Sequence, residues 1–217
     1  NINTIFPEIT PERIPIPEKQ AIAEMSTSYG DRIYRVSMQR VTMGEVVGHV
    51  DILENVPQNV SLIAMYLYDE TELKEYIQKN EDNKLVVALV YLDNYEEALE
   101  SVEDVRRSLL IALLDRKITK YFSNFDGLVK KLEKDKYLLI MRQSSLETLK
   151  EQRFHILDEV KTVNIGNEMA VTLSIGVGLN ASTYIQSYEY ARIAIEMALG
   201  RGGDQGVIKN GKNITYI

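Results

Sequence analysis

The stretch VTLSIGVG, residues 171–178, decides the fold of this 217-residue chain. Its residues are mostly apolar or small, and no charged residue interrupts them. A continuous run of this kind predicts a strand that is buried on both faces, at the centre of a sheet. The elements around it should therefore cover that sheet with helices.

Strands and helices alternate on both sides of this central strand. The segment KLEKDKYLLIM, residues 131–141, predicts a hairpin with Lys134 and Asp135 at its tip. Helices interleaved with a mixed sheet predict an α+β sandwich. The predicted order is strand 84–93, helix 98–121, strands 127–133 and 136–141, helix 145–163, strand 169–179, helix 185–199, and two short strands in GVIKN and NITYI.

The first third of the chain has a different character. Residues 1–24 hold four of the five prolines and should be extended or loop. Three runs with partial period-two alternation follow and predict consecutive antiparallel strands; they are residues 31–43, 45–56 and 59–69. The segment DETELKEYIQKNEDN then predicts a connecting helix that ends in a polar break over residues 80–83. We predict three parts: residues 1–68, a linker at 69–83, and residues 84–217.

Composition excludes several classes of function. A formal net charge of −7 argues against a nucleic-acid surface, which needs clustered Lys and Arg. The absence of cysteine excludes disulfides, thiolate zinc sites, iron–sulfur clusters and cysteine nucleophiles. No run approaches the roughly 20 apolar residues that span a bilayer, so we expect this segment to be soluble.

The motifs resemble those of a known domain. VTLSIGVG, within this order of elements, resembles the corresponding strand of the GGDEF domain, the palm-like fold of diguanylate cyclases, and YLDNY at 91–95 resembles its DIDxF strand end. This resemblance covers residues 84–217. The strands before it, closing on LYDETEL, resemble the last part of a PAS sensor domain. The expected fold is a partial PAS-like antiparallel sheet followed by a GGDEF-like palm.

A PAS-like segment followed by a degenerate GGDEF domain, with EMALGRGGDQ near its end, most resembles GdpP-type cyclic-di-AMP phosphodiesterases. The resemblance implies a parent protein anchored in the cell membrane, a homodimer, with this segment on the cytoplasmic side. It also implies a manganese-dependent DHH/DHHA1 hydrolase domain in cis, whose motifs this chain does not contain. Some members bind haem in the PAS region, but His49 gives that little support. The methionines of this region are expected to fill a core; they are Met25, Met38, Met43 and Met65.

The cyclase site is lost at its metal ligands. A cyclase palm uses carboxylates at the strand end and the hairpin to hold two divalent ions. Matching the family motifs onto this chain puts Tyr91 at the first acid, Asp93 at the second, and Lys136 at the metal-binding acid of the hairpin. Neither a phenol nor an ammonium group replaces an anionic oxygen as a magnesium ligand. Diguanylate cyclase activity is therefore not expected.

The substrate-recognition positions are also changed. Leu99 stands where the family has its base-reading asparagine, and Leu199 stands at the phosphate-binding lysine. The product-inhibition motif is missing at residues 126–129. The glycines of GRGGDQG, residues 200–206, should serve a helix C-cap and a turn.

A weaker nucleotide site is compatible with the remaining residues. The backbone turn at Asn94 and Tyr95 could receive phosphate, Lys136 could contact it, and Asp93 could hold Mg²⁺ or Mn²⁺. Taken alone, the residues fit equally a helix cap at Asp93 and a solvated Lys136. Because the family's degenerate domain is associated with weak ATP hydrolysis, we expect a regulatory and sensory segment that binds ATP. The alternative is a purely structural dimerisation and signal-transmission module.

Overall fold

The computed structural model describes residues 5–15, 22–41 and 62–217. The chain divides into two compact units, Asn1–Lys79 and Asn80–Ile217. Each unit has an apolar core of its own. Within the described ranges, no helix is both long enough and apolar enough to cross a membrane.

The first unit contains a three-stranded antiparallel sheet in the order β1-β2-β3, after a short 3-10 turn at Pro11–Arg13. Its strands are β1 (Ile22–Tyr29), β2 (Arg32–Val41) and β3 (Leu62–Asp69). The antiparallel sheet is confirmed, but β1 was not predicted, because it has few apolar residues and a weak pattern. Gly30, with a φ of 59°, forms the turn from β1 to β2. The predicted strand over residues 45–56 lies outside the described residues.

The core of the first unit is made by Phe6, Ile9, Val36 and Met38. Met25 and Met65 pack against this core, as expected for methionines that fill space. Met43 and His49 lie outside the described residues, so the structure says nothing of the haem expectation.

Helix α1 (Thr71–Asn83) follows β3 directly. The Asp69 carboxylate accepts hydrogen bonds from the hydroxyl and the amide of Thr71, at 2.6 and 3.1 Å, and these bonds lower the pKa of Asp69. The predicted break at residues 80–83 is wrong, because the helix continues through Asn83. Polar residues such as Asn and Asp are tolerated there because the whole helix surface is exposed or half-buried.

The second unit contains a six-stranded mixed sheet and five helices. The elements are β4 (Leu85–Leu92), α2 (Tyr95–Glu100), α3 (Asp104–Ser123), β5 (Leu128–Lys131), β6 (Lys136–Arg142), α4 (Gln143–Glu151), α5 (Ile156–Lys161), β7 (Leu173–Leu179), α6 (Tyr184–Gly200), β8 (Gly206–Asn210) and β9 (Asn213–Tyr216). The strand order is β5-β6-β4-β7-β8-β9. The central strands β4 and β7 are antiparallel, whereas β7 and β8 are parallel. Every residue of β7 is buried, which confirms the central strand predicted from VTLSIGVG.

Two predicted helices are each divided in two. The helix predicted over 98–121 is interrupted after Glu100, where the Ser101 hydroxyl donates to the carbonyl of Ala98 at 2.7 Å. The helix predicted over 145–163 is interrupted by Arg153 and Phe154, which have φ values of 51° and 48°. Full burial of the Phe154 ring favours this left-handed turn over a continuous helix.

Helix α6 packs on one face of the sheet with its backbone close to β7. A Cβ atom on Gly178 would lie 1.9 Å from the carbonyl oxygen of Ser187, and one on Gly176 would lie 2.3 Å from the amide of Ile195. The two glycines of SIGVG are therefore needed for this close approach. The larger part of the core lies on the opposite face, between the sheet and the helices α3 and α5.

Candidate functional site

Tyr91 and Lys136 form a cross-strand pair at the end of β4. They are direct partners in the antiparallel β4–β6 register, and the Lys136 ammonium lies 5.5 Å from the centre of the Tyr91 ring. Burial raises the pKa of Tyr91, so its phenol is neutral at physiological pH. The position that the motif comparison matched to the first metal acid is thus occupied by an uncharged ring with a cation beside it.

The hairpin tip is held by ion pairs. Lys136 Nζ lies 2.7 Å from Glu133 Oε2, and Lys134 Nζ lies 3.0 Å from Glu96 Oε1. These hydrogen-bonded carboxylates raise the pKa of both lysines. The carbonyl of Asp135 accepts from the Leu92 amide at 2.9 Å, which extends the strand pairing to the tip. The structure therefore brings the two lysines to the carboxyl end of β4.

Asp93 does not cap α2, contrary to the alternative considered from the sequence. Its Oδ2 accepts a hydrogen bond of 2.8 Å from the amide of Asp204, in the glycine-rich turn after α6. Asp204 in turn pairs with Lys161 at 2.7 Å, and its carboxylate raises the pKa of that lysine. Within the described part of the chain, Asp93 Oδ1 is buried without a hydrogen-bond partner. Asp93 is therefore directed at the terminal turn.

Asn94 bonds to neighbouring backbone groups, and Tyr95 packs in the core. The Asn94 amide donates to the carbonyl of Ala170 at 2.8 Å and accepts from the amide of Thr172 at 2.9 Å. The strand predicted to begin at residue 169 begins at Leu173, after the residues that bond to the Asn94 side chain. The Tyr95 ring is buried in the core, where burial raises its pKa.

The site residues do not fit a two-metal centre. Across the described ranges, no group of three or more His, Asp or Glu side chains converges on one point. The first turn of α2 carries Glu96 and Glu97, which oppose an anion at its amides. Asp93 Oδ1 is a buried carboxylate oxygen without a hydrogen-bond partner among the described residues, which is one oxygen and not the set of ligands that two ions need.

The remaining substituted positions lie in different surroundings. Leu99 packs against the main core, whereas Leu199 is exposed near the end of α6. The nearest basic residue to that position, Arg201, lies 4.3 Å from the centre of the Tyr216 ring. Gly202 and Gly203 have φ values of 104° and 78°, and the amide of Gly203 donates to the carbonyl of Ala198 at 3.0 Å. The predicted role of GRGGDQG as a helix end and turn is confirmed.

Ser174 is one residue of this region that the sequence did not point to. It faces Tyr91 across the β4–β7 register, and its hydroxyl is buried without a partner among the described residues. A lone hydroxyl inside an apolar run was the signal that could have identified it. The missed partners Glu96 and Glu133 have no distinguishing pattern, because single acids near lysines are common on surfaces.

Comparison with known proteins gives a consistent result. The family model for the GGDEF domain of cyclic-di-AMP phosphodiesterase GdpP-like proteins matches residues 90–215. The cyclic-di-AMP phosphodiesterase PdeA of Listeria monocytogenes is 36% identical over 145 residues, which cover 67% of this chain and 22% of that protein. The cyclic-di-AMP phosphodiesterase GdpP of Geobacillus thermodenitrificans is 31% identical over 147 residues, or 68% and 22% of the two chains.

A solved structure supports the same fold. The active GGEEF domain of a diguanylate cyclase from Vibrio cholerae superposes with a TM-score of 0.50 and 14% identity, over 63% of this chain and 89% of that one. The palm fold expected for residues 84–217 is confirmed by this match. The chain spans about a fifth of the length of the two phosphodiesterases it matches.

Proposed function

Because the chain belongs to the GdpP-like family of cyclic-di-AMP phosphodiesterases, we propose that it is a regulatory segment whose palm domain binds ATP without cyclising nucleotides. The observation that carries this proposal is the Tyr91–Lys136 pair at the end of β4. A neutral phenol and an ammonium stand where a cyclase holds its ions. The two metal ions that cyclisation needs therefore have no ligands here, whereas Lys136 provides a cation that suits a phosphate group.

The two lysines of the hairpin supply the phosphate contacts. The Lys134–Glu96 ion pair is exposed and the Lys136–Glu133 pair is partly exposed, and ion pairs at a protein surface are weak. A phosphate group can exchange for either carboxylate at small cost. Since carboxylates outnumber lysines here, the nucleotide should bring a divalent cation, Mg²⁺ or Mn²⁺, to reduce the repulsion.

Slow hydrolysis of the bound ATP is the second part of the proposal. Water adds to the γ-phosphorus and the bond to the β-phosphate oxygen breaks, which yields ADP and inorganic phosphate. The Asp93→Asn variant should lower phosphate release, because Asp93 has the buried oxygen with free capacity. Asparagine can still accept from the Asp204 amide, so the fold should survive. Unchanged turnover in a folded variant would exclude Asp93 from the site.

The direct experiment is a titration of the purified chain with ATP and Mg²⁺, followed by calorimetry and by phosphate release. The double variant Lys134→Ala with Lys136→Ala should weaken ATP binding at least about tenfold, or about 1.4 kcal/mol. Lys74→Ala with Lys212→Ala removes the same charge from exposed positions outside the hairpin and should have little effect. Equal weakening by both pairs would contradict a site at the hairpin. Cyclic-di-GMP formed from GTP would overturn the proposal as a whole.

A purely structural module is the second candidate. The observation that favours it is that Asp93, Asn94 and Lys136 already have partners inside the chain. This alternative predicts no response to ATP at any concentration, which the same titration tests.

The remainder of the protein is inferred from the family. We propose a membrane-anchored homodimer with this segment on the cytoplasmic side and a manganese-dependent hydrolase domain in cis. In the full-length protein, ATP should change the rate of cyclic-di-AMP cleavage, and the Lys134→Ala, Lys136→Ala variant should abolish that change.

A further inference from the structure

A cavity of about 380 Å³ lies between α3 and α5, lined by groups that the proposed nucleotide site does not use. Most of its lining comes from one face of α3, at spacings of three and four residues that align side chains along a helix. The lining residues are Leu113, Arg116, Lys117, Lys120, Tyr121, Asn124 and Glu159. Three cations thus face one carboxylate, in a chain whose net charge is −7.

The cations differ in how they are held. Lys117 is half-buried, and its ammonium lies 3.1 Å from the Thr162 hydroxyl and 3.5 Å from Glu159 Oε2. Arg116 and Lys120 are exposed and form no ion pair within the described ranges of the chain. Lys117 is therefore positioned by α5, whereas the other two cations are available to a ligand.

Helix electrostatics explains only part of this charge. Cations near a helix C-terminus complement the macrodipole, but that effect is confined to about the last turn. Helix α3 ends at Ser123, so the effect reaches Lys120 and does not reach Arg116 or Lys117. In most of the other helices of this chain, lysines and arginines pair with acids three or four residues away. The unpaired cations at this cavity depart from that pattern.

The remaining lining groups fit a small phosphorylated molecule. The Tyr121 ring forms a buried apolar wall, and Asn124 offers an amide that can donate or accept. The volume falls within the range of small-ligand pockets, which is roughly 300–1,000 Å³. A pocket of this size, partly open to solvent, can admit a molecule the size of a mononucleotide.

We propose that this cavity is a second anion site, which binds a small phosphorylated molecule through Arg116, Lys117 and Lys120. Arg116 is suited to a bidentate contact with phosphate oxygens, and the two lysines add point charges. The site lies outside segment 126–129, where the family's product-inhibition motif is missing. It is independent of the hairpin lysines, so either site can exist without the other.

The test is a calorimetric titration of the full chain with inorganic pyrophosphate, then with AMP and adenosine. Pyrophosphate and AMP should bind saturably and adenosine should not, because the contacts are to phosphate. Arg116→Ala with Lys120→Ala should weaken pyrophosphate binding at least about tenfold. Lys130→Ala with Lys212→Ala, which removes the same charge outside the cavity, should change it less than about twofold.

Three results would overturn the proposal. The first is no saturable pyrophosphate binding up to about 10 mM. The second is equal weakening by the two double variants, which would indicate a general effect of net charge. The third is tighter binding of an acidic peptide than of pyrophosphate with the same dependence on Arg116 and Lys120, which would assign the cavity to a protein partner. ATP binding at the hairpin has its own variants, so the two proposals fail separately.

Discussion

Gly203 is the residue that allows Asp93 to reach the turn after α6. A Cβ atom at this position would lie 2.6 Å from Asp93 Oδ2, and the backbone has a φ of 78°. The Gly203→Ala variant should therefore lose the contact between Asp93 and the amide of Asp204, in addition to gaining backbone strain. We expect a loss of about 2–4 kcal/mol in the free energy of unfolding, measured by urea denaturation.

Gly202→Ala is the matched control for this variant. Gly202 also has a positive φ, 104°, but nothing lies within 4 Å of a Cβ atom there. It should show the backbone strain alone, about 1–2 kcal/mol. If the two variants were equally destabilised, the contact of Asp93 with the turn would contribute nothing measurable.

Some single-residue features of the site could be predicted from the sequence, and others could not. The replacement of a metal acid by Tyr91 follows from the identity of that residue, and the structure adds only the Lys136 beside it. The hydrogen bond from the Asp204 amide to Asp93 could not be predicted, because the two residues are 111 positions apart. The glycines of that turn were already explained as a helix end. Long-range side-chain contacts of this kind leave no local pattern.

At the scale of paired strands, the β4–β6 register could be used to restore the pair of metal-binding carboxylates that the chain lacks. In an antiparallel pair, directly opposed Cβ atoms are about 4.5–5.5 Å apart, close enough for two carboxylates to share an ion. The variant Tyr91→Asp with Lys136→Glu should be less stable without metal, because like charges then face each other. Added Mn²⁺ or Mg²⁺ should recover the loss as a rise in the midpoint of thermal unfolding.

The comparison variant is Tyr91→Asp with Lys136→Gln, which carries one carboxylate fewer. It should respond much less to either ion, and an equal response would show that the register pair does not form the binding point. Neither variant should produce cyclic-di-GMP, because Leu99 and Leu199 remain at the recognition positions.

Helices and strands could be predicted well where the hydrophobic periodicity is strong. They were predicted less well where the same periodicity continues across a turn. The buried strand β7 and the hairpin β5–β6 follow from the pattern of side chains alone. The turn at Arg153 and Phe154 lies inside a run with continuous helical spacing, and only the burial of the Phe154 ring requires it. Strand β1 was missed for the opposite reason, because only one of its residues is buried and its pattern is weak.

Across the second unit, buried tyrosines should make stability depend on pH in the alkaline range. Burial raises the pKa of four of them, and the hydrogen bond from the Tyr137 hydroxyl to Asp115 adds to the effect at that residue. The unfolded chain loses these protons near pH 10, while the folded protein keeps them. The unfolded state then binds fewer protons, so the free energy of unfolding should fall as pH rises above about 10. The four residues are Tyr91, Tyr95, Tyr121 and Tyr137.

The variant Tyr137→Phe should flatten this dependence, because it removes one of the four groups. At neutral pH it should cost about 1 kcal/mol for the lost hydrogen bond, measured by urea denaturation at a series of pH values. Ile118→Val is the control, since it reduces core packing by about 1 kcal/mol at every pH and should leave the slope unchanged. A wild-type slope in Tyr137→Phe would show that this tyrosine does not contribute.

The close contact of α6 with β7 bears on how this unit can transmit force. Side chains between a helix and a sheet usually act as a compliant layer, because they can change rotamer when the helix shifts. At Gly176 and Gly178 that layer is missing, and backbone lies on backbone. A displacement of α6 should then be carried directly into β7 and onward to β4, whose last residues, Tyr91 and Leu92, precede Asp93. The palm is in this respect a stiff coupling, in which the helix and the strand ends of the proposed nucleotide site shift together.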